Sequence, residues 1–338
     1  MTDRSHTGAR RPGYRALVES AFLAALAVVI TLLAEYVPVV GIGAALLGPV
    51  PVAAVVARHG MKWGIMSGVV ATLISMAFLN PILALASGLV LVFGGLSLGY
   101  GIMKKLEAQK TLFLMTVAAI LIAVVEVLVS AIILGAGPEA LLREAMESMV
   151  SGMEQGAELA AKLTGKPFDA AEWAKTREAM IASFTETVKQ AIVGLLAATA
   201  VTHAYLNYAV SGAVLRRLGI PVNELPPFSN WIFPPWLGLL FFLASTVPAA
   251  FANQLAAYPL LRAVVMNSIV GTSFFTLIEG LSLLSYYLKQ AKVPTLVVVL
   301  LGIYAVTNPS LGFVAQLFGA LDAMMDFRRI RWGNLEDL

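Results

Sequence analysis

The sequence predicts an all-α fold: a polytopic transmembrane helical bundle of eight to ten spans, with an amphipathic helical segment on the extracytoplasmic side. Three observations predict it. The chain is 59% hydrophobic and 13% charged, whereas soluble domains carry about 25% charged residues, and its mean hydropathy is +0.83. Its apolar runs are long: residues 111–134 hold a single charge, Glu126, and about 20 apolar residues in helical rise cross a hydrocarbon core of roughly 30 Å. The basic residues gather in short segments beside such runs, the pattern that orients a membrane protein with its positive side in the cytoplasm.

The elements follow in order from those clusters. Arg10, Arg11 and Arg15 precede a first span over 16–37, and a second over 42–57 returns to Arg58 and Lys62. A third over 63–79 turns at Asn80-Pro81, a turn-initiating dipeptide, into a fourth over 82–103 that ends at Lys104, Lys105 and Lys110. The fifth covers 111–134, the sixth 188–215 before Arg216 and Arg217, the seventh 232–251, and the eighth 258–288 before Lys289 and Lys292. Two short segments then flank Asn308-Pro309. If both cross, the basic clusters fall on one face and both termini are cytoplasmic, which fits a plasma-membrane protein. The polar, basic start has no short apolar stretch with a small-residue cleavage site behind it, so the first span is expected to be retained.

Residues 137–189 differ, with six basic and nine acidic residues. Met146, Met149, Met153, Leu159 and Leu163 recur at near-helical spacing, so an amphipathic hairpin on the bilayer or capping the bundle is expected; a lid or partner-docking element is the sharper alternative. The expected layout is a cytoplasmic tail over 1–15, a transmembrane region over 16–135, the external segment over 136–187, a second transmembrane region over 188–326 and a cytoplasmic tail over 327–338.

Several function classes are excluded or left without support. No cysteine is present, which removes disulfides, thiolate nucleophiles and Cys-ligated metals. No P-loop, H-E-x-x-H or G-x-S-x-G motif occurs, so the chain carries no ATPase of its own and no visible catalytic set. His6, His59 and His203 lack ligand spacing, and neither a metal nor a cofactor is expected. The net charge of +3 comes from orienting loops and does not point to nucleic acid.

Polar residues inside spans are the candidates for chemistry. Glu126 lies mid-depth in the fifth span and Glu279 in the eighth, while His203 and Asn207 lie one helical turn apart in the sixth. A mid-membrane carboxylate costs at least about 2.5 kcal/mol unless it is paired, protonated or wet. These four residues are candidates for substrate contact or ion relay, with an interhelical hydrogen bond as the structural alternative. Glu19, Glu35 and Arg262, near span ends, read as solvated, and Asp322 and Asp326 as pairing with Arg329 at the inner face. Small residues at helical spacing, namely Ala21 and Ala25, Gly60, Gly64 and Gly68, and Gly95 and Gly99, let helices approach closely. Such stripes either pack the bundle or dock another membrane subunit.

The stretch ALVESAFLAALAVVITLL from Ala16, with small residues at every fourth position, precedes a loop and then LLGPVPVAAVVARHGMKWGIMSGVVATLIS. Over about 16–101 this is similar to the S components of energy-coupling factor vitamin transporters, in which a Leu-Gly-Pro stretch leads through an apolar run to a Gly-rich turn. The whole chain more closely resembles the YybS-like family of bacterial membrane proteins, which ends in a Gly-x-x-Asp-x-x-x-Asp-Phe-Arg tail. Here the tail stands as Gly319, Asp322, Asp326, Phe327 and Arg328.

The resemblance implies an S-component-like N-terminal half that binds a small-molecule solute from the outer side. The loop between the first two spans would form part of the lid, here 35–43 with Glu35, Tyr36, Pro38 and Gly41. It also implies docking on a transmembrane coupling subunit with its ATPases through small residues of the first span, here Ala21 and Ala25. The chain departs from that pattern by an external segment and four or five further spans. These either replace the coupling subunit or mark a family that has lost transport. The leading expectation is small-solute binding and transport without enzymatic activity; the alternative is a membrane scaffold or regulatory protein that holds a partner through the small-residue stripes.

Overall fold

The computed structural model describes residues 12–135, 138–165 and 168–330. Among the described residues the regular structure is helical and contains no strand. Helices α1 (Pro12–Tyr36), α2 (Pro38–Leu47), α3 (Pro49–His59), α4 (Met61–Ser75), α5 (Pro81–Leu89), α6 (Gly95–Met103) and α7 (Ala108–Leu134) come first, with a π-helical turn, Val90–Gly94, joining α5 to α6. They are followed by α8 (Pro138–Thr164), α9 (Ala170–Arg217), α10 (Pro235–Ala250), α11 (Ala252–Ala257), α12 (Pro259–Gln290), α13 (Thr295–Thr307) and α14 (Pro309–Met325).

Proline sets many of these boundaries: α1, α2, α3, α5, α8, α10, α12 and α14 all begin on one. At the first helical position the ring presets φ and gives up an N–H that had no acceptor there. Both Asn-Pro pairs work as caps. Asn80 Oδ1 accepts from Ile82 N at 2.9 Å, and Asn308 Oδ1 accepts from Ser310 N and Leu311 N at 3.1 and 3.2 Å, which satisfies donors a helix start leaves open.

Among the described residues five helices are long and apolar enough to cross a membrane, and a sixth crossing is available to α13 and α14 taken together, bent by 106° at Asn308. Gly43–His59, Met61–Ser75 and Pro235–Pro248 are apolar but shorter. The chain is thus a multi-pass helical membrane protein. The run expected over 42–57 stays helical through Gly48, at φ −47°, ψ −50°, where α2 passes into α3. One expectation is corrected. The loop expected over 35–43 is helical apart from Val37. α9 consists of two helices that meet at a kink at Ala191, φ −122°, ψ 21°, close to the expected start of the sixth span at 188. Arg143 on α8 bonds Glu147 at 2.9 Å and reaches Glu178 on α9 at 3.0 Å. The Glu147 hydrogen bond, with Glu178 beside it, holds the Arg143 guanidinium above its ordinary pKa.

The chain divides into two compact units. One comprises Met1–Gly137 with Thr199–Leu225, the other Pro138–Ala198 with Pro226–Leu338. In the first, Ala24, Ala27 and Val28 of α1 pack with Val52 and Val56 of α3, Ala71 of α4 and Leu91. A second cluster joins Ala53, Ala54, Leu98 and Met115 to Ala204, Tyr208 and Leu215 of α9. Gly64 and Gly68 belong to this packing: a Cβ on Gly64 would strike the Val56 side chain, and one on Gly68 would come within 2.7 Å of Val92. Their placement on a partner-facing stripe is therefore corrected, since the groove they make is filled from within.

In the second unit α12, α10 and α14 pack together. A Cβ on Gly280 would run into the Ala315 carbonyl, and one on Gly319 into the Thr276 carbonyl. The α12 and α14 backbones thus touch, as small residues allow in lipid.

Candidate functional site

The first unit has two chemically distinct ends. Near the start of α1, Glu19 forms ion pairs with Arg58 and, at 2.8 Å, with His59 Nε2 at the end of α3. Glu19 is therefore paired rather than merely solvated, and its carboxylate ties the basic end of α3 to the start of α1. Arg58 also donates to the Leu218 carbonyl at 3.3 Å, and Asn223 Nδ2 to the Leu106 carbonyl at 2.6 Å. These contacts collect the basic segments at one end of the bundle. From Glu19 to Thr31 α1 climbs twelve residues, roughly 18 Å at helical rise.

There a cavity of about 310 Å³ opens. Its polar lining comprises Thr31 and Glu35 of α1, Ser87 of α5, Glu126 of α7 and His203 of α9, and its walls include Ala44 and Gly48 of α2 and Val90 and Leu91 of the π-turn. Such turns insert one residue into a helix and recur at functional sites. Ser87 Oγ donates to Glu35 Oε1 at 2.6 Å, so this carboxylate is oriented. Among the described residues the Glu126 carboxylate and the His203 ring have no hydrogen-bond or ion-pair partner. The lining contains no Lys or Arg.

The structure thus brings Glu126, His203 and Glu35, candidates from three different helices, to one cavity. Asn207 lies one turn from His203, is 1% exposed, and donates to the His203 carbonyl at 3.0 Å. Tyr36 closes the end of α1 by donating to the Phe78 carbonyl at 2.5 Å. Pro38 opens α2, and Gly41 lets α2 approach the Ala34 carbonyl of α1; these residues shape a helical corner, not a loop. Gly60, at φ +91°, is the turn between α3 and α4, a conformation that favours glycine. Ala21 and Ala25 face outward on α1.

Glu279 belongs to a different site, inside the second unit, where it is fully buried. Its Oε2 accepts from Phe233 N at 2.8 Å and its Oε1 lies 3.5 Å from Arg328. Arg328 is the centre of this site. Nε and Nη2 bond Asp322 Oδ2 at 3.0 and 2.6 Å, Nη1 bonds the Ser229 carbonyl and Ser282 Oγ at 2.7 Å each, and Nη2 bonds the Trp231 carbonyl at 2.7 Å. A guanidinium has five N–H donors, and these five bonds employ them. The local reason is Asp326, which ends α14 in the left-handed conformation at φ 49°, ψ 58°. It turns the chain back so that Phe327 N donates to Asp322 Oδ1 at 3.0 Å and Arg328 points inward. The pairing of Asp322 expected with Arg329 is therefore corrected to Arg328, and Phe327–Ile330 are not a free tail. Arg331 and Trp332, like Arg10 and Arg11, lie outside the described residues.

Sequence reasoning missed Ser229, Ser282 and Asn267. Asn267 on α12 accepts from Gly194 N at 2.8 Å and donates to the Gln190 carbonyl at 2.9 Å and to its own helix at Ala263 O at 2.7 Å. Its amide stands in for the α9 bond that the break at Ala191 opens. An isolated Asn in a span was the available signal.

Comparison with known proteins gives a family but no solved fold. The family model described as "Predicted membrane protein (DUF2232)" matches residues 25–323. The chain is 26% identical over 312 residues to "Uncharacterized protein YybS" of Bacillus subtilis (strain 168), covering 91% of this chain and 96% of that one. No solved structure matches. With nearly the whole multi-pass helical region inside the match, the chain belongs to the DUF2232 family of membrane proteins.

Proposed function

We propose that this protein binds a small solute within the membrane and transports it, without enzymatic activity and without an ATPase of its own. The observation that carries the reading is the cavity that unites Glu35, Ser87, Glu126 and His203 from four helices. Lipid-facing spans rarely keep acids, and those inside a bundle mark solute or ion paths. At about 310 Å³ the cavity lies at the small end of ligand sites. The similarity of residues 16–101 to S components supports the same reading, as does the placement of the cavity beside the corner between α1 and α2. With the basic clusters in the cytoplasm of a bacterial cell, the cavity lies in the outer half of the plasma membrane and both termini lie inside. The outward face of Ala21 and Ala25 supports docking of a membrane coupling subunit with ATPases; the same face would serve a scaffold, the second reading.

Native mass spectrometry of protein extracted from its own membranes tests the proposal. A small molecule released from the wild-type protein and absent from Ala86→Trp, which fills the cavity, is the expected result. A wild-type spectrum identical to that of the filled variant would sink it.

A further inference from the structure

The lining of this cavity also limits what can occupy it. Its ionisable side chains are Glu35, Glu126 and His203, and among its described lining residues there is no Lys or Arg. Glu35 has only the neutral Ser87 hydroxyl as partner, and Glu126 has none among the described residues. Two carboxylates in a half-buried membrane site without a cationic side chain leave a deficit of positive charge. A bound cation relieves it through charge-assisted contacts, while an anion meets repulsion strengthened by the low local dielectric. The other walls are apolar, formed by Ile30, Ala44, Leu83, Val90 and Leu91 among others. They suit a hydrocarbon body rather than a hydrated metal ion, which needs several oxygen ligands in close geometry.

We infer that the cavity selects a small organic cation, an amine or quaternary ammonium compound, with Glu126 and Glu35 facing the positive charge and the Ala/Leu/Val walls facing its apolar part. This rests on the solute-binding reading of the same cavity and narrows it to a chemical class.

The cysteine-free chain allows a direct test. Ala86 lines the cavity, and the thiol of Ala86→Cys is exposed to three methanethiosulfonates of similar size: a trimethylammonium-ethyl cation, a sulfonatoethyl anion and the neutral methyl compound. The purified full-length protein in lipid nanodiscs is used, with 2-mercaptoethanol as the free-thiol reference. The expected cation-to-anion rate ratio exceeds that of the reference by on the order of tenfold. It falls several-fold when Glu126→Gln or Glu35→Gln is added, and returns to the reference value with both. A ratio at or below the reference, with the neutral reagent still reacting, overturns cation selection and leaves the solute site standing. A ratio that both Gln changes leave high overturns the assignment to these carboxylates. A thiol that reacts with none of the three, the neutral one included, removes the accessible cavity and the solute reading with it.

Discussion

Arg328 and Asp322 form a doubly bonded ion pair, at 2.6 and 3.0 Å, with both side chains fully excluded from the surface. The pair is local in sequence, but the three remaining guanidinium bonds reach Ser229, Trp231 and Ser282, between 46 and 99 residues away. It fastens the turn after α14 and the segment before α10 to α12. A buried charge that loses its partner costs about 3–5 kcal/mol. Arg328→Met should therefore lower stability by about that much in detergent thermal unfolding. The double variant with Asp322→Leu should cost less than the sum of the two single changes, because it removes both charges. Additive effects would show that the pair is not coupled.

Helix contact should be equally sensitive where α12 meets α14. A methyl group on Gly280 or Gly319 collides with a carbonyl of the facing helix, whereas one on Gly302 of α13 meets nothing within 4 Å. Gly280→Ala and Gly319→Ala should each cost about 1–3 kcal/mol by overpacking. Gly302→Ala should be neutral or stabilising by about 0.5–1 kcal/mol. The three melting temperatures check the ordering.

Asn267 should hold the break in α9. Asn267→Leu leaves the Gly194 N–H and the Gln190 carbonyl without the amide, at about 1–3 kcal/mol for each buried group left open. Hydrogen exchange at the Gly194 amide should accelerate by tenfold or more. Asn267→Asp keeps the acceptor for Gly194 but loses both donors, so Gly194 should stay protected while the helix around Ala191 exchanges faster.

Glu126 should trade stability for function. Glu126→Leu removes from a span a carboxylate that has no partner among the described residues, and should leave the protein as stable or up to about 2.5 kcal/mol more stable. Glu126→Gln should fold normally. Both should lose solute binding as read by native mass spectrometry. A strongly destabilised Leu variant would instead assign Glu126 a structural bond.

Orientation is open to single-cysteine labelling with an impermeant maleimide. Ala160→Cys on the α8 surface should react in intact cells, and Lys105→Cys and Lys289→Cys only after lysis, because the proposed orientation puts Lys104, Lys105, Arg216, Arg217, Lys289 and Arg329 on the cytoplasmic side. The reverse pattern would invert the topology and place the cavity in the inner half.

Membrane class, helix starts and the embedded acids were legible from the sequence, because each depends on local chemistry. Apolar length alone dictates that residues 111–134 are helical in lipid. Proline loses its N–H wherever it stands, so α5, α12 and α14 begin where Pro81, Pro259 and Pro309 do. A charge inside a span is conspicuous whatever surrounds it, which is how Glu126 and Glu279 were found. Their partners were not legible. Tertiary packing gave Glu279 the buried Arg328 and placed Glu126 with Glu35 and His203 around a cavity, although all three acids lie in similar apolar runs. It also filled the Gly64 and Gly68 groove with Val56 and Val92, left Ala21 and Ala25 facing outward, and divided α9 between two units. Hydrophobicity fixes which segments leave water. In lipid it no longer distinguishes one helix face from another, so close backbone fit and hydrogen bonding between distant residues make that choice.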